Sequence, residues 1–418
     1  MRDLLFKVEF GAASVQCNRT GGQSKSGMEG LRYTIAILGF LMVTMMLWDA
    51  FEVIILPQRV TRPLRFARFF YRFTWRLRSS AAQWIRDHKR REAYLGTFGP
   101  LSLLLLLAVW AAGLIAGFAM LQWGLQDRLN IGERAASFST YLYLSGTTFF
   151  TLGLGDVLPL GPKGRGLVVV EAGLGFAFLG GVVTYLPTIY QAFSRREVSI
   201  SLLDARAGSP PTAAELLLRN DGDMSELRQL LGEWERWSAE LLESHLSYPV
   251  LMYFRSQHAN QSWLAALTAI LDVSALVIAG IDGGPARQAY LTFAKARHVA
   301  AELGQVLVPS PPALEPDRLP PSSLKALRNA LAETSVTVRE GSATDQKLSE
   351  LRQMYEPYVQ ALSRYLLIPV PPWFRVNVIP DSWQSSNWQV LVSQVTTENG
   401  AIPESKVLAP ESITANTL

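Results

Sequence analysis

Cysteine is almost missing from this chain. Cys17 stands alone among 418 residues, which excludes an internal disulfide framework and a cysteine-based zinc site. Histidine is scarce too. His245, His258 and His298 are not at metal-ligand spacing, and no His-Glu-x-x-His run occurs. No nucleophile–base constellation stands out, so an enzyme is not expected and no cofactor is called for. A Gly-x-Gly-x-x-Gly turn after a strand is absent, which argues against a nucleotide-binding regulator. A series of short strands, as a cyclic-nucleotide module needs, is absent as well. The N-terminus holds no apolar core followed by a small-residue cleavage site, so it does not read as a secretory signal.

What is present is apolar. The hydrophobic share is 49% and the mean hydropathy +0.15, which suits a few membrane spans joined to a substantial soluble part. The formal charge is +4, and the excess is local. Between 57 and 98 stand Arg59, Arg62, Arg65, Arg68, Arg72, Arg76, Arg78, Arg86, Lys89, Arg90 and Arg91, opposed by Asp87 and Glu92. Such a loop is expected on the cytoplasmic side. Phe66, Phe69, Phe70, Tyr71, Phe73 and Trp75 interleave with the arginines, as in a basic amphipathic helix lying on anionic lipid headgroups. Its place between two spans favours lipid over nucleic acid. Arginine at every third position also fits a voltage sensor, but Pro63 interrupts the run and partner spans are lacking.

The expected order is an N-terminal arm over 1–30, a first span over 31–57, the basic cytoplasmic linker 58–98, a two-span module 99–194, an α-helical cytoplasmic domain 195–393 and a polar tail 394–418. Met28 precedes the first apolar run, so 1–27 reads either as an extension or as a misassigned start. Asp49 and Glu52 fall three apart near the end of the first span and share a face. They are functional candidates by position, and pairing with the following arginines is the preferred reading. Residues 101–122 form an uncharged run, about 33 Å long as a helix and enough to cross. Trp123 sits at the expected aromatic belt.

In the cytoplasmic domain, Thr212-Ala213-Ala214-Glu215 reads as a capping box. Helical spacing covers 224–245, 247–257, 259–279, 285–306, 322–340 and 344–367, with a Pro-rich linker over 308–321. Ser256-Gln257-His258 and Asn260-Gln261-Ser262-Trp263 form a dense polar cluster in this helical region, as a buried network or a ligand site.

Within the two-span module, 136–150 is long enough for about four helical turns but too short to cross. The run Thr151-Leu152-Gly153-Leu154-Gly155-Asp156 follows it, before an inner span over 165–194. A glycine-interrupted loop between spans exists only buried in protein or around water. Alternating glycines let successive carbonyls turn the same way, and a ring of such carbonyls can replace a cation's hydration shell. This run resembles the Thr-x-Gly-Tyr-Gly-Asp filter of the potassium-channel pore family, with Leu154 in place of Tyr. The resemblance covers about 100–193.

It implies a pore module made of an outer helix over 99–125, a re-entrant pore helix over 136–150 and an inner helix over 165–194. Together with the span over 31–57 and the helical C-terminal domain, both read from their own residues, the chain is expected to be an all-α membrane protein with three transmembrane helices. The resemblance implies a bacterial inner-membrane channel passing K+ down its gradient; the basic linker, by its charge, places the N-terminus outside. Thr151, Leu152, Gly153, Leu154 and Gly155 would form the ion-binding filter, and Asp156 would cap its mouth. The pore helix would aim its negative end at the cavity. One chain offers one loop and a ring needs four, so a homotetramer is implied. Gly175 follows Gly155 by twenty residues, as the family's hinge glycine does, and Pro187 favours a kink. Close helix packing explains the glycines equally well. Tyr141 and Tyr143 either buttress the filter or are interface aromatics. Phe150 stands where relatives have Thr, and Thr147 where a pore-helix Glu is usual. Glu171 is a lone acid in the inner span, with the outer interface preferred over support of the filter from behind. A non-selective cation channel and a sensory or scaffold protein with a degenerate pore are the alternatives. A ligand of the C-terminal domain is left open.

Overall fold

The computed structural model describes residues 30–56, 66–130, 136–220, 222–258, 260–308, 317–332, 334 and 336–374. The arm with Cys17, the arginines Arg59, Arg62 and Arg65, the core of the Pro-rich linker and the polar tail lie outside the described residues. The described chain is helical and holds no strand, only isolated bridges such as Leu129 to Pro159. Two compact units form. One contains the chain to Arg196 together with Glu240–Arg255. The other contains Glu197–Ala239 and the chain from Ser256 onward.

The first unit is built on long apolar helices: α1 (Gly30–Ile54), α4 (Phe98–Leu125) and α6 (Pro162–Ala207). With a fourth helix in the second unit, all are long and apolar enough to cross a bilayer. This is a multi-pass membrane protein. Small residues let α1 and α4 meet closely. A Cβ on Gly39 would lie 2.7 Å from the carbonyl oxygen of Gly117, so the backbones touch where lipid offers no hydrophobic drive. Between these spans come α2 (Phe66–Gln83) and α3 (His88–Gly96). Buried Phe70, Trp75 and Ala82 face inward on α2, while Phe69, Phe73 and Leu77 are exposed. Asp49 is buried and reaches two donors. It accepts from the Ala67 backbone N–H (3.2 Å) and from the Trp110 indole (2.9 Å). A carboxylate thus sits at the positive start of α2. Glu52 accepts from the Trp48 indole at 2.9 Å.

The inner helix does not stop at 194. It runs unbroken through Gly175, Gly180, Gly181 and Pro187 to Ala207. The helix carries Pro187 in its interior and ends at Gly208, which takes φ +79° ahead of Pro210 and Pro211. Residues 247–257 are not an α-helix. Pro249–Tyr253 is a short 3-10 turn, and the segment Glu240–Arg255 belongs with the first unit rather than with the second. Three- and four-residue spacing fits both helix types, and Pro249 at the start withholds a donor.

The second unit holds α7 (Ala213–Arg219), most of α8 (Met224–Ser247), α9 (Trp263–Gly280), α10 (Ala286–Leu307), α11 (Pro321–Ala332), α12 (Ser342–Gln353) and α13 (Glu356–Leu366). The Thr212 hydroxyl accepts from Glu215 N–H (3.2 Å), so the cap stands. The expected helix 322–340 ends at Ala332, because Val338 bridges to Ile281. The expected helix 344–367 breaks at Met354–Tyr355, since Pro357 can open a helix but not continue one. The polar cluster is loop, not helix. Ser262 caps α9 through Ala265 N–H (3.0 Å), and Gln261 donates to Ser209 (3.3 Å).

Although α9 is apolar enough to span a bilayer, 89% of it is enclosed within the protein, against 28% for α1. A helix hydrophobic all round is a core helix when other helices wrap it. Its lone charge, Asp272, is held by Arg318 through both carboxylate oxygens (2.8 and 3.2 Å) and by the Tyr355 hydroxyl. Arg318 also reaches Glu356 (3.3 Å) and the Pro371 carbonyl (2.8 Å). Arg352 ties Glu356 (3.1 Å) to Asp317. Removing one partner of such a network leaves a buried charge uncompensated, at a cost of about 3–5 kcal/mol. Arg318→Ala is therefore expected to melt the protein at clearly lower temperature by circular dichroism. Adding Asp272→Leu should recover part of the loss, and a double variant no better than the single would refute this account.

Candidate functional site

Helix α5 (Phe138–Phe149) starts after Ser137 and ends where the chain turns back. Its last carbonyls do not go unpaired. Thr147 O accepts from Leu152 N–H (2.8 Å) and Gly153 N–H (3.5 Å), and Thr148 O accepts from Thr151 N–H (2.9 Å). The end of α5 thereby fixes the first residues of the run 151–156. Within the run, positive φ recurs at alternate residues: Thr151 at +55°, Gly153 at +57° and Gly155 at +77°. Glycine takes that conformation freely, whereas for β-branched Thr151 it is a strained outlier of the sort that collects at functional sites. All six residues 151–156 are exposed in the single chain, with Leu152 and Leu154 more than 60% accessible.

The far end of the run is pinned by Tyr143, whose hydroxyl donates to Asp156 at 2.9 Å. Tyr141 is buried in a small apolar cluster with Ala119, Leu129 and Leu144, and its hydroxyl donates to the Asp127 carbonyl (3.3 Å). Of the two tyrosines, Tyr143 is the one that touches the run. Phe150 is exposed, while Phe149 beside it packs on Phe178 with ring centroids 5.6 Å apart.

Glu171 is not at the outer interface. It is wholly buried, accepting from Gln122 Nε2 on α4 (2.8 Å) and in hydrogen-bond contact with the Ser145 hydroxyl on α5. A buried acid needs polar partners, and these neighbouring helices present them. One turn further on, Gly175 lies against the end of α5. A Cβ there would stand 2.0 Å from the Phe149 carbonyl oxygen. A side chain does not fit at this position unless the backbone shifts. Gln122, the one amide side chain in the apolar helix α4, was the signal that Glu171 had an inward partner.

A second constellation went unseen in the sequence. Arg196 on α6 is buried and donates to the carbonyls of Leu251 and Phe254 (both 2.9 Å). It also faces His245 Nε2 at 3.1 Å. A guanidinium only donates, so Nε2 accepts and the Nδ1–H donates to Leu241 O (2.8 Å). His245 is thus neutral and structural, not a metal ligand. Burial, and then the Arg196 charge, push its pKa well below the ordinary value. In the unfolded chain it titrates near ~6.5, so its contribution is complete above that pH and is lost as pH falls below it, by up to about 1.4 kcal/mol per unit. Thermal stability should drop between pH 7.5 and 5.0, and His245→Gln should flatten that drop. An equal drop in the variant would dismiss His245 as the cause. Among the described residues no cluster of acids, histidines or cysteines could hold a metal ion.

Comparison with known proteins bears on the same segment. A family model described as an ion channel matches residues 104–192. The chain is 28% identical over 189 residues to an uncharacterized membrane protein, YdjJ, of Bacillus subtilis (strain 168), covering 44% of this chain and 54% of that protein. It is 34% identical over 91 residues to protein LctB of Geobacillus stearothermophilus, covering 19% of this chain and 67% of that protein. The chain thus spans about half the length of the first relative. No solved structure matches.

Proposed function

The chain belongs to the potassium-channel pore family through residues 104–192, and on that premise we propose that it is a K+-selective channel conducting passively through a homotetrameric pore. The observation that carries this is the run 151–156: left-handed backbone at every second residue, tethered to the end of a short helix and wholly exposed in one chain. Two leucines left uncovered inside a membrane module call for further copies around them. In a fourfold ring, the carbonyls of Thr151, Leu152, Gly153 and Leu154 would replace the water around K+, with Gly155 completing the filter and Asp156 at the outer mouth. The Thr151 hydroxyl would complete the innermost site.

The basic segment would face the cytoplasm, with the N-terminus outside and the second unit inside, in a bacterial inner membrane. Exposed Phe69, Phe73 and Leu77 on α2, flanked by Arg72 and Arg76, would rest on anionic headgroups. Gating would act on α6, which continues unbroken into the second unit, with flexing at Gly175 or Pro187 and an unidentified ligand of that unit as one stimulus. A non-selective or degenerate pore is the second reading, favoured by exposed Phe150 beneath the run and by Leu154. Purified protein in liposomes should release K+ much faster than Na+, and its mass in detergent should equal four chains. Equal Na+ release favours the second reading, and a monomer or dimer sinks the pore.

A further inference from the structure

We propose that Glu171 is a positioning residue for the filter that works in its protonated form, so that raising the pH releases the pore helix and closes the pore. This rests on the channel reading and extends it to what holds the filter in place. The starting point is a proton count. The Ser145 hydroxyl has one proton and two neighbours that want it: the Ile115 carbonyl at 2.7 Å and Glu171 Oε1. Were Glu171 ionised, Ser145 could serve only one of them. The other would be left as a buried oxygen-to-oxygen contact. A protonated Glu171 resolves this. Its O–H donates to Ser145 Oγ, Ser145 donates to Ile115 O, and the remaining carboxyl oxygen accepts from Gln122 Nε2 at 2.8 Å. Every group is then satisfied.

The surroundings favour the neutral acid on independent grounds. Glu171 has no accessible surface. Helix α4 presents Gln122 and the Ile115 carbonyl to it, and α5 presents Ser145; among the described residues no cation pairs with it. The nearest acidic group on the filter, Asp156, is engaged by Tyr143. An unpaired carboxylate in such a place is costly.

The consequence runs straight to the filter. Glu171 joins three helices, α4, α5 and α6, at one point. Ser145 lies two residues before Thr147, whose carbonyl holds the Leu152 and Gly153 amides. Ionisation breaks the Glu171–Ser145–Ile115 chain and loosens the helix that sets those amides. The proton comes from and returns to solvent, and nothing else is consumed.

The test is K+ release from liposomes between pH 6 and 10, together with thermal melting of the purified protein over the same range, for wild type, Glu171→Gln and Glu171→Ala. Gln is the fixed neutral mimic, since its amide can donate to Ser145 and its oxygen can accept from Gln122. Wild-type flux should fall about tenfold per pH unit once the acid titrates, and its melting temperature should fall in parallel. Glu171→Gln should conduct like the acidic wild type across the whole range, with a flat melting curve. Glu171→Ala should be impaired at every pH. A Gln variant that loses flux and stability with pH as wild type does would overturn the proposal. So would a Gln variant as impaired at pH 6 as Ala. If wild type conducts at no pH, the channel reading fails, and the difference between the wild-type and Gln melting curves still decides the state of Glu171.

Discussion

Gly153→Ala should abolish K+ flux while the protein still inserts, assembles and melts close to the wild-type temperature. Gly153 has φ +57°, and a Cβ built on it meets nothing within 4 Å. No clash arises in the chain itself. What changes is the backbone preference. An L side chain in the left-handed region costs about 1–2 kcal/mol, and that cost falls on all four copies in a tetramer. Relief requires φ to turn negative. The turn would swing the Leu152–Gly153 peptide and strip a carbonyl from the ring proposed to replace the water around K+. Gly180→Ala is the control. Gly180 also has open space at its Cβ position but is helical, where Ala is favoured over Gly by about 1 kcal/mol. Flux through liposomes should vanish in the first and survive in the second. Equal flux in both would mean that the run 151–156 does not form the ion path.

The fold was readable wherever a helix reports itself through composition. The runs that became α4 and α6 are apolar for longer than a bilayer is thick, the run that became α1 reaches that length by taking in Asp49 and Glu52, and a short helix before Thr151 could be placed by length. Capping at Thr212 was readable because it is local chemistry. What escaped depends on partners far along the chain. Glu171 alone cannot say whether it faces headgroups or Ser145, since both fit an acid in an apolar helix. The Arg196 site needs carbonyls 55 and 58 residues away, on a turn whose sequence also fits a helix. The membrane-like α9 shows the converse. Its composition fits a span as well as the domain helix read over 259–279, and the Arg318 network around Asp272 and the surrounding helices make it a core.

Gly175→Ala is expected to cost both flux and stability, and that combination separates packing from hinging. The added Cβ would lie 2.0 Å from the Phe149 carbonyl oxygen and 2.8 Å from its carbon. These are backbone atoms, so no rotamer change relieves the contact, and truncating the Phe149 side chain would not rescue it. Helix α6 must move away from the end of α5, at an overpacking cost of about 1–3 kcal/mol per chain. Phe149 stands two residues before Thr151, so the shift reaches the run 151–156 directly. Glu171 and Gly175 are one turn apart on α6, as Ser145 and Phe149 are on α5, and the two helices are held at both points. A glycine that only lends flexibility predicts another result. Its replacement would leave the resting structure and its melting temperature unchanged and alter only how often the pore opens. Gly173→Ala, with open space at its Cβ position, provides the baseline. A Gly175→Ala protein that melts with that baseline but conducts abnormally would transfer the role of Gly175 from packing to gating. One that melts lower and conducts little would show that the inner helix is the back wall against which the filter is set.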